Sequence, residues 1–232
     1  VNWFNFSCVH CQKPLNFAHR HLCYQCDKQI SRLNYCGRCG AVLSKNQAFR
    51  GQMFCGNCAK QSPNWQQMVV IGRYQPPLST LIHQFKFQNR YYLDRTLAQL
   101  MLLAIYHARR EYLFSLPEVI IPVPLHHFRQ WYRGYNQAYL IAKQLSRQLS
   151  IPLDNKLVVR QKYTKMQRGL NEKARRSNLH NAFSVNIKRA KQYHSIALID
   201  DVITTGSTLN EIAKLLKQAG INVIHVWGLA KT

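Results

Sequence analysis

Apolar positions along the chain follow two periods. Ile196-Ala197-Leu198-Ile199 is an unbroken apolar run, the pattern of a central parallel strand covered on both faces. Met68-Val69-Val70-Ile71 and Val223-Ile224-His225-Val226 read as further strands. Val119-Ile120-Ile121-Pro122-Val123-Pro124 is a short β-branched run ended by prolines that cannot extend a ladder. Between these runs the spacing is helical. Leu78, Leu81, Ile82 and Phe85 follow the Pro76-Pro77 stop. Leu93, Leu97, Leu100, Met101, Ala104 and Ile105 predict a helix over 92–113, and Ala138, Ile141, Ala142, Leu145 and Leu149 predict another. A last helix carries Leu209, Ile212, Ala213 and Leu216, with Thr208-x-x-Glu211 as a capping box and Gly220 as C-cap. Strands alternating with helices predict an α/β domain built on a parallel sheet.

That pattern is missing before residue 63. The first 62 residues hold too few apolar side chains for a core, but all eight cysteines of the chain. They form four equal pairs, Cys8-x-x-Cys11, Cys23-x-x-Cys26, Cys36-x-x-Cys39 and Cys55-x-x-Cys58. A two-residue spacing turns both thiolates onto one tetrahedral ion, so four pairs complete two Cys₄ zinc sites. With every position filled by thiolate, both ions would be structural, and their binding would supply the folding free energy. A disulfide framework is the competing reading. The lack of an export signal and of any later cysteine weighs against it. Sequential and interleaved pairings are both compatible with the spacings. Gly37, Gly40 and Gly56 beside the ligands suggest tight turns with φ > 0, and His10, His19 and His21 are surface residues or substitute ligands. Gln61-Ser62-Pro63-Asn64 reads as a linker, which divides the 232 residues into a module (1–62) and a domain (63–232).

Charge narrows the partners. Thirty-two Lys+Arg face nine Asp+Glu, for a net +23, a field that attracts polyanions. The segment 156–191 holds Lys165, Arg168, Lys173, Arg175, Arg176 and six other cations, opposed only by Glu172. The loop Arg129-Gln130-Trp131-Tyr132-Arg133-Gly134-Tyr135-Asn136-Gln137 mixes cations and aromatics, which can stack bases and hold phosphates or plug the domain surface. Lys86 reads as a solvated lysine, with an anion contact as the alternative. No apolar run reaches the ~18–20 residues of a membrane span. No charged start leads into an apolar stretch and a cleavage site, so a cytoplasmic protein without a membrane span is expected.

The candidate chemistry sits after the 196–199 run. Asp200-Asp201 follow it, then Val202-Ile203 and the turn Thr204-Thr205-Gly206-Ser207-Thr208 leading into a helix. Adjacent carboxylates at the end of a buried strand are costly unless something pairs with them. Ligands of open α/β sheets bind at this carboxyl edge. The N–H groups of such a turn, the positive helix end and the hydroxyls of Thr204, Thr205, Ser207 and Thr208 make a phosphate cradle, and Gly206 allows close approach. The carboxylates suit vicinal hydroxyls or a Mg²⁺-bound ligand. A phosphorylated sugar fits both halves.

The stretch Ile196 to Thr208 resembles the phosphoribosyl pyrophosphate (PRPP) signature of type I phosphoribosyltransferases. The four Cys-x-x-Cys pairs, Pro122-Val123-Pro124-Leu125, Arg133-Gly134-Tyr135-Asn136-Gln137, Thr164-x-x-Gln167 and Arg175-x-x-Asn178 make nearly the whole chain similar to the ComF competence family. The resemblance implies a type I phosphoribosyltransferase-like sheet flanked by helices, preceded by a double zinc ribbon. It implies Asp200 and Asp201 on the ribose hydroxyls, in the catalytic position, and Thr204 to Thr208 on the 5′-phosphate. Arg133 and Asn136 would lie at the pyrophosphate side. A flexible loop around Lys165, Gln167, Arg168, Lys173, Arg175 and Arg176 would cover the site or contact nucleic acid. Mg²⁺ would enter with PRPP. The implied role is uptake or processing of transforming single-stranded DNA with a helicase-like partner. The alternative is an active phosphoribosyltransferase of nucleotide salvage, displacing pyrophosphate from the anomeric carbon by a nitrogen nucleophile.

Overall fold

A computed structural model describes residues 6–15, 21–32, 34–43, 54–125, 134–161 and 182–232. In chain order the strands are β1 (Gln67–Arg73), β2 (Val119–Pro122), β3 (Val158–Arg160), β4 (Phe183–Val185), β5 (Ser195–Ile203) and β6 (Val223–Lys231). The helices are α1 (Tyr24–Lys28), α2 (Gly56–Lys60), α3 (Leu78–Phe87), α4 (Leu93–Tyr112), α5 (Gln137–Leu149), α6 (Ile187–Ala190) and α7 (Ser207–Gln218).

Four strands form one all-parallel sheet in the order β1-β6-β5-β2. β3 and β4 form a separate antiparallel ribbon. Successive side chains on a strand point to opposite faces, and the core divides accordingly. Val69, Ile71, Ile199 and Trp227 meet α3, α4 and α5 on one face. Met68, Val70, Leu198 and Val226 meet α7 and the ribbon on the other. Burial on both faces is why the strands read as continuous apolar runs.

β5 extends past the apolar run, through Asp200 and Asp201 to Ile203, because it pairs with an equally long β6 (Asp200↔Gly228, Ile203↔Lys231). The capping box at Thr208 does not form. The chain enters α7 through Gly206, in the left-handed region at φ 76°, so Thr208 already lies inside the first turn. Gly220, at φ 96°, follows the helix end as expected.

Both edges of the sheet are covered. On the β1 side, Met68 N donates to Gly37 O (2.6 Å), Val70 N to Tyr35 Oη (3.3 Å) and Arg73 N to Ser31 O (3.0 Å). The cysteine module therefore supplies partners that a further strand would otherwise supply. On the β2 side, Ile120 N donates to Pro152 O and Asp154 N to Ile120 O. Leu22 and Ile30 of the module join the main core. Among the described residues no helix is long and apolar enough to cross a membrane.

Candidate functional site

The carboxyl edge of β5 presents its two carboxylates to opposite faces, as strand geometry requires. Asp200 lies on the α7 face. It shares a small polar concavity of about 120 Å³ with Thr204, Gly206, Ser207 and Thr208. Asp201 lies on the α3 face, where Lys86 Nζ comes within 2.9 Å of its Oδ2. That pair is only 14% and 16% exposed, so Lys86 is an internal counter-ion, not the solvated lysine expected from the sequence. It offsets the cost of placing two acids at a buried strand end. Burial, then the charge of Asp201, pushes the Asp200 carboxyl up to about 7, against the Asp201 N–H and the cations Lys86 and Arg160.

The turn is held from three sides. Thr205 Oγ1 and Ser207 Oγ share a hydrogen bond of 2.7 Å, and Lys231 Nζ donates to Thr204 O at 2.7 Å. Beneath Gly206 lies Trp65. A Cβ at Gly206 would stand 3.2 Å from the Trp65 ring. Trp65 Nε1 donates in turn to Arg38 O at 2.6 Å, between Cys36 and Cys39. Asn64 N and Nδ2 donate to Asn210 Oδ1 on α7 (2.9 and 3.2 Å). Backbone N–H groups at the start of a twelve-residue helix, beside hydroxyls and a carboxylate, can take a phosphate on one side and a hydroxyl on the other.

The loop after β2 begins and ends close to this edge. Val123 N donates to Ile199 O (2.8 Å), one residue before Asp200. Asn136 Nδ2 donates to Val123 O (3.1 Å), and its Oδ1 accepts from Tyr139 N (3.4 Å) to cap α5. Both ends of the Asn136 amide are thus used in closing the loop base. Tyr135 plugs the surface: its hydroxyl donates to Phe85 O, and its ring packs 5.7 Å from Phe85 and 6.5 Å from Tyr91. Arg133, Lys165, Gln167, Arg168, Lys173, Arg175 and Arg176, with most of the aromatic loop, lie outside the described residues.

The cysteines gather into two clusters, Cys8/Cys11/Cys23/Cys26 and Cys36/Cys39/Cys55/Cys58, with all sulfurs of each within 4.8 Å of one another. This is the sequential pairing. None is disulfide-bonded. The Cys11–Cys23 and Cys39–Cys55 sulfurs are 3.7 and 3.6 Å apart, close to the edge of a tetrahedron with ~2.3 Å metal–sulfur bonds. Burial and neighbouring sulfurs push the Cys26 and Cys58 thiols well above their ordinary value. Four thiolates at this spacing therefore call for a dication among them. Of the three glycines expected to turn with φ > 0, only Gly40 (φ 73°) does so. Gly37 is instead held Cβ-free by the Gln67 amide, which a Cβ would meet at 2.7 Å. His10 and His21 belong to neither cluster; His19 lies outside the described residues.

Sequence reasoning offers the anion contact of Lys86 only as the alternative to a solvated lysine, and it does not single out Lys231 or Trp65. A lone cation in the last turn of the apolar helix α3 was the one available signal for Lys86. Nothing local marks Lys231 or Trp65, which act across large sequence separations.

Residues 136–231 match the phosphoribosyl transferase domain family. With the parallel sheet and the carboxyl-edge turn, the domain is phosphoribosyltransferase-like in fold. The chain is 55% identical to competence protein F of Haemophilus influenzae, over 100% of this chain and 99% of that one. It is 38% identical to the DNA utilization protein YhgH of Escherichia coli (97% and 96% covered) and 26% identical to competence protein ComFC of Bacillus subtilis (86% and 79% covered). The chain belongs to the competence protein F family.

Proposed function

We propose that this protein is a competence factor that handles incoming single-stranded DNA on the cytoplasmic side, alongside a DNA-uptake helicase, and that its carboxyl edge binds PRPP. The observation that carries the reading is that Asp200, Thr204, Gly206, Ser207 and Thr208 line one concavity at the start of α7. In this reading the N–H groups of the turn and the hydroxyls of Thr204, Thr205, Ser207 and Thr208 hold the 5′-phosphate. Asp200 accepts from the ribose hydroxyls. Asp201 is held by Lys86 next to the same ribose. Asn136 closes the loop that brings Arg133 to the pyrophosphate side, and Mg²⁺ neutralises the pyrophosphate. The segment carrying Lys165, Gln167, Arg168, Lys173, Arg175 and Arg176 closes over the site or contacts DNA. The two cysteine clusters hold structural zinc. No water position remains once four thiolates are bound.

The names of the relatives and the +23 charge support the DNA half of this reading. The deciding experiment is calorimetric titration of the purified chain with PRPP–Mg²⁺, alone and in competition with a single-stranded oligonucleotide. The expected result is one PRPP per chain, lost in Asp200→Ala/Asp201→Ala, and oligonucleotide binding that weakens steeply with salt. Failure of the unaltered chain to bind PRPP overturns the phosphoribosyl half. Pyrophosphate release from PRPP with a base present, without affinity for DNA, would establish the salvage transferase instead.

A further inference from the structure

Apart from the Asp200 concavity, the molecule has a much larger cleft of about 790 Å³ between α4, the outer edge of β1 and the two cysteine clusters. Its size is that of ligand sites in general. It shares no lining residue with the concavity at Asp200. Arg32, Arg73, Arg110 and Lys231 line it against two acids, Asp27 and Glu111. Asp27 is bound to Arg32 at 2.7 Å, and Glu111 faces His107 at 3.4 Å. Arg73 and Arg110 have no acidic partner among the described residues, so the cleft is left with unopposed positive charge. Its wall is apolar and partly open: Val42 is 47% and Leu103 59% exposed. A single strand needs cations for its phosphates and rings for its bases; Tyr35 and Tyr112 line the cleft beside this open aliphatic surface.

Lys231 connects this cleft to the phosphoribosyl site. It lines the cleft, while its ammonium donates to Thr204 O at 2.7 Å and to Thr232 O at 2.8 Å. An ammonium has three donors, so among the described residues one is left for a ligand. The cleft therefore ends at the turn that forms the cradle. We infer that the cleft between α4, β1 and the cysteine clusters is the track of single-stranded DNA, with Arg73 and Arg110 on its phosphates and Lys231 where the track reaches the cradle. The inference rests on the DNA half of the proposed function. A ligand with a repeating phosphate fits a positively charged cleft that opens onto a phosphate cradle better than an acidic peptide does.

The test uses the full-length, metal-loaded chain and fluorescence anisotropy with a labelled oligothymidylate of roughly twenty nucleotides. Arg73→Gln/Arg110→Gln should weaken binding about tenfold near physiological salt. It should flatten the slope of log affinity against log salt by about 1.4, the value for two lost phosphate contacts on a single strand. Leu103→Glu, a surface change on α4, should weaken binding without entering the core. PRPP affinity, melting temperature and metal content should stay unchanged in both. Lys214→Gln/Lys217→Gln, which removes two exposed charges from α7, should leave binding unchanged. Equal weakening by the α4/β1 and α7 pairs, or a slope unchanged by the former, would overturn the track. So would competition by polyglutamate as effective as by unlabelled oligonucleotide. If the unaltered chain binds no oligonucleotide at all, the functional reading itself fails, and the track with it.

Discussion

Lys86 and Asp201 form an ion pair of 2.9 Å that joins the last turn of α3 to the carboxyl end of β5. Asp200, the neighbouring acid, has no ion pair among the described residues and faces the cradle. The division of labour between two adjacent aspartates thus follows from strand geometry and one lysine.

Lys86→Met should leave Asp201 as an unpaired, largely buried charge. Removing one partner of such a pair costs about 2 kcal/mol at this exposure, with a fall in melting temperature of about 5 °C. Lys86→Met/Asp201→Asn should recover much of that loss, because the stranded charge goes with its partner. Thermal melts of the two single variants and the double decide it. A double variant as unstable as the sum of the singles would show that the pair does not act as a unit.

Asp200 gives the site a pH dependence of definite sign. Its carboxyl sits near 7 in the folded protein, raised by burial and by Asp201, against about 3.9 in an unfolded chain. The folded state then holds the proton more tightly. The unliganded protein should therefore lose stability as pH rises from about 4 to about 7, and level off above that. PRPP–Mg²⁺ favours the carboxylate, so its affinity should rise through the same upper range. Calorimetry from pH 6 to 8 checks this, and Asp200→Asn should flatten the profile.

Gly206→Ala tests the entrance to α7. The added Cβ would meet Trp65 at 3.2 Å at a backbone φ of 76°. The expected cost is about 1–2 kcal/mol of stability. A several-fold weaker PRPP affinity should accompany it, since the turn must shift. Trp65→Phe/Gly206→Ala should be destabilised by less than the sum of the two single variants, because the shorter ring relieves the contact while the lost Nε1 bond to Arg38 O is counted once.

Metal removal should affect the two clusters differently. Cys39→Ser disturbs the cluster whose Arg38 carbonyl holds Trp65 under the cradle. Cys11→Ser disturbs the cluster that packs on the main core through Leu22 and Ile30. Each should lose about one metal equivalent by elemental analysis. PRPP affinity should fall several-fold more in Cys39→Ser. Equal effects would argue that Trp65 carries no positional information to the turn.

Much of this molecule is legible from local pattern. The strands β1, β2, β5 and β6, the helices α3, α4, α5 and α7 and the four cysteine pairs all follow from period or spacing within a few residues. The Asp200–Thr208 turn is legible for the same reason: its chemistry is contiguous. What escaped depends on distant partners. The ribbon β3–β4 has strands of three residues, too short for a period to register. Lys86 reads as solvated until α3 is laid across the end of β5. Trp65 and Lys231 acquire their roles only when the cysteine module, β6 and the turn before α7 are brought together. The capping box at Thr208 misled because a left-handed glycine can open a helix without a side-chain cap.

The hydrogen bonds from Met68, Val70 and Arg73 to the cysteine module have a consequence for the survival of the whole chain. An uncovered row of strand amides is a template for pairing with other chains, and the element that covers this one folds around thiolates. Metal scarcity or thiol oxidation would therefore act on solubility as well as on the ligand site, by baring β1.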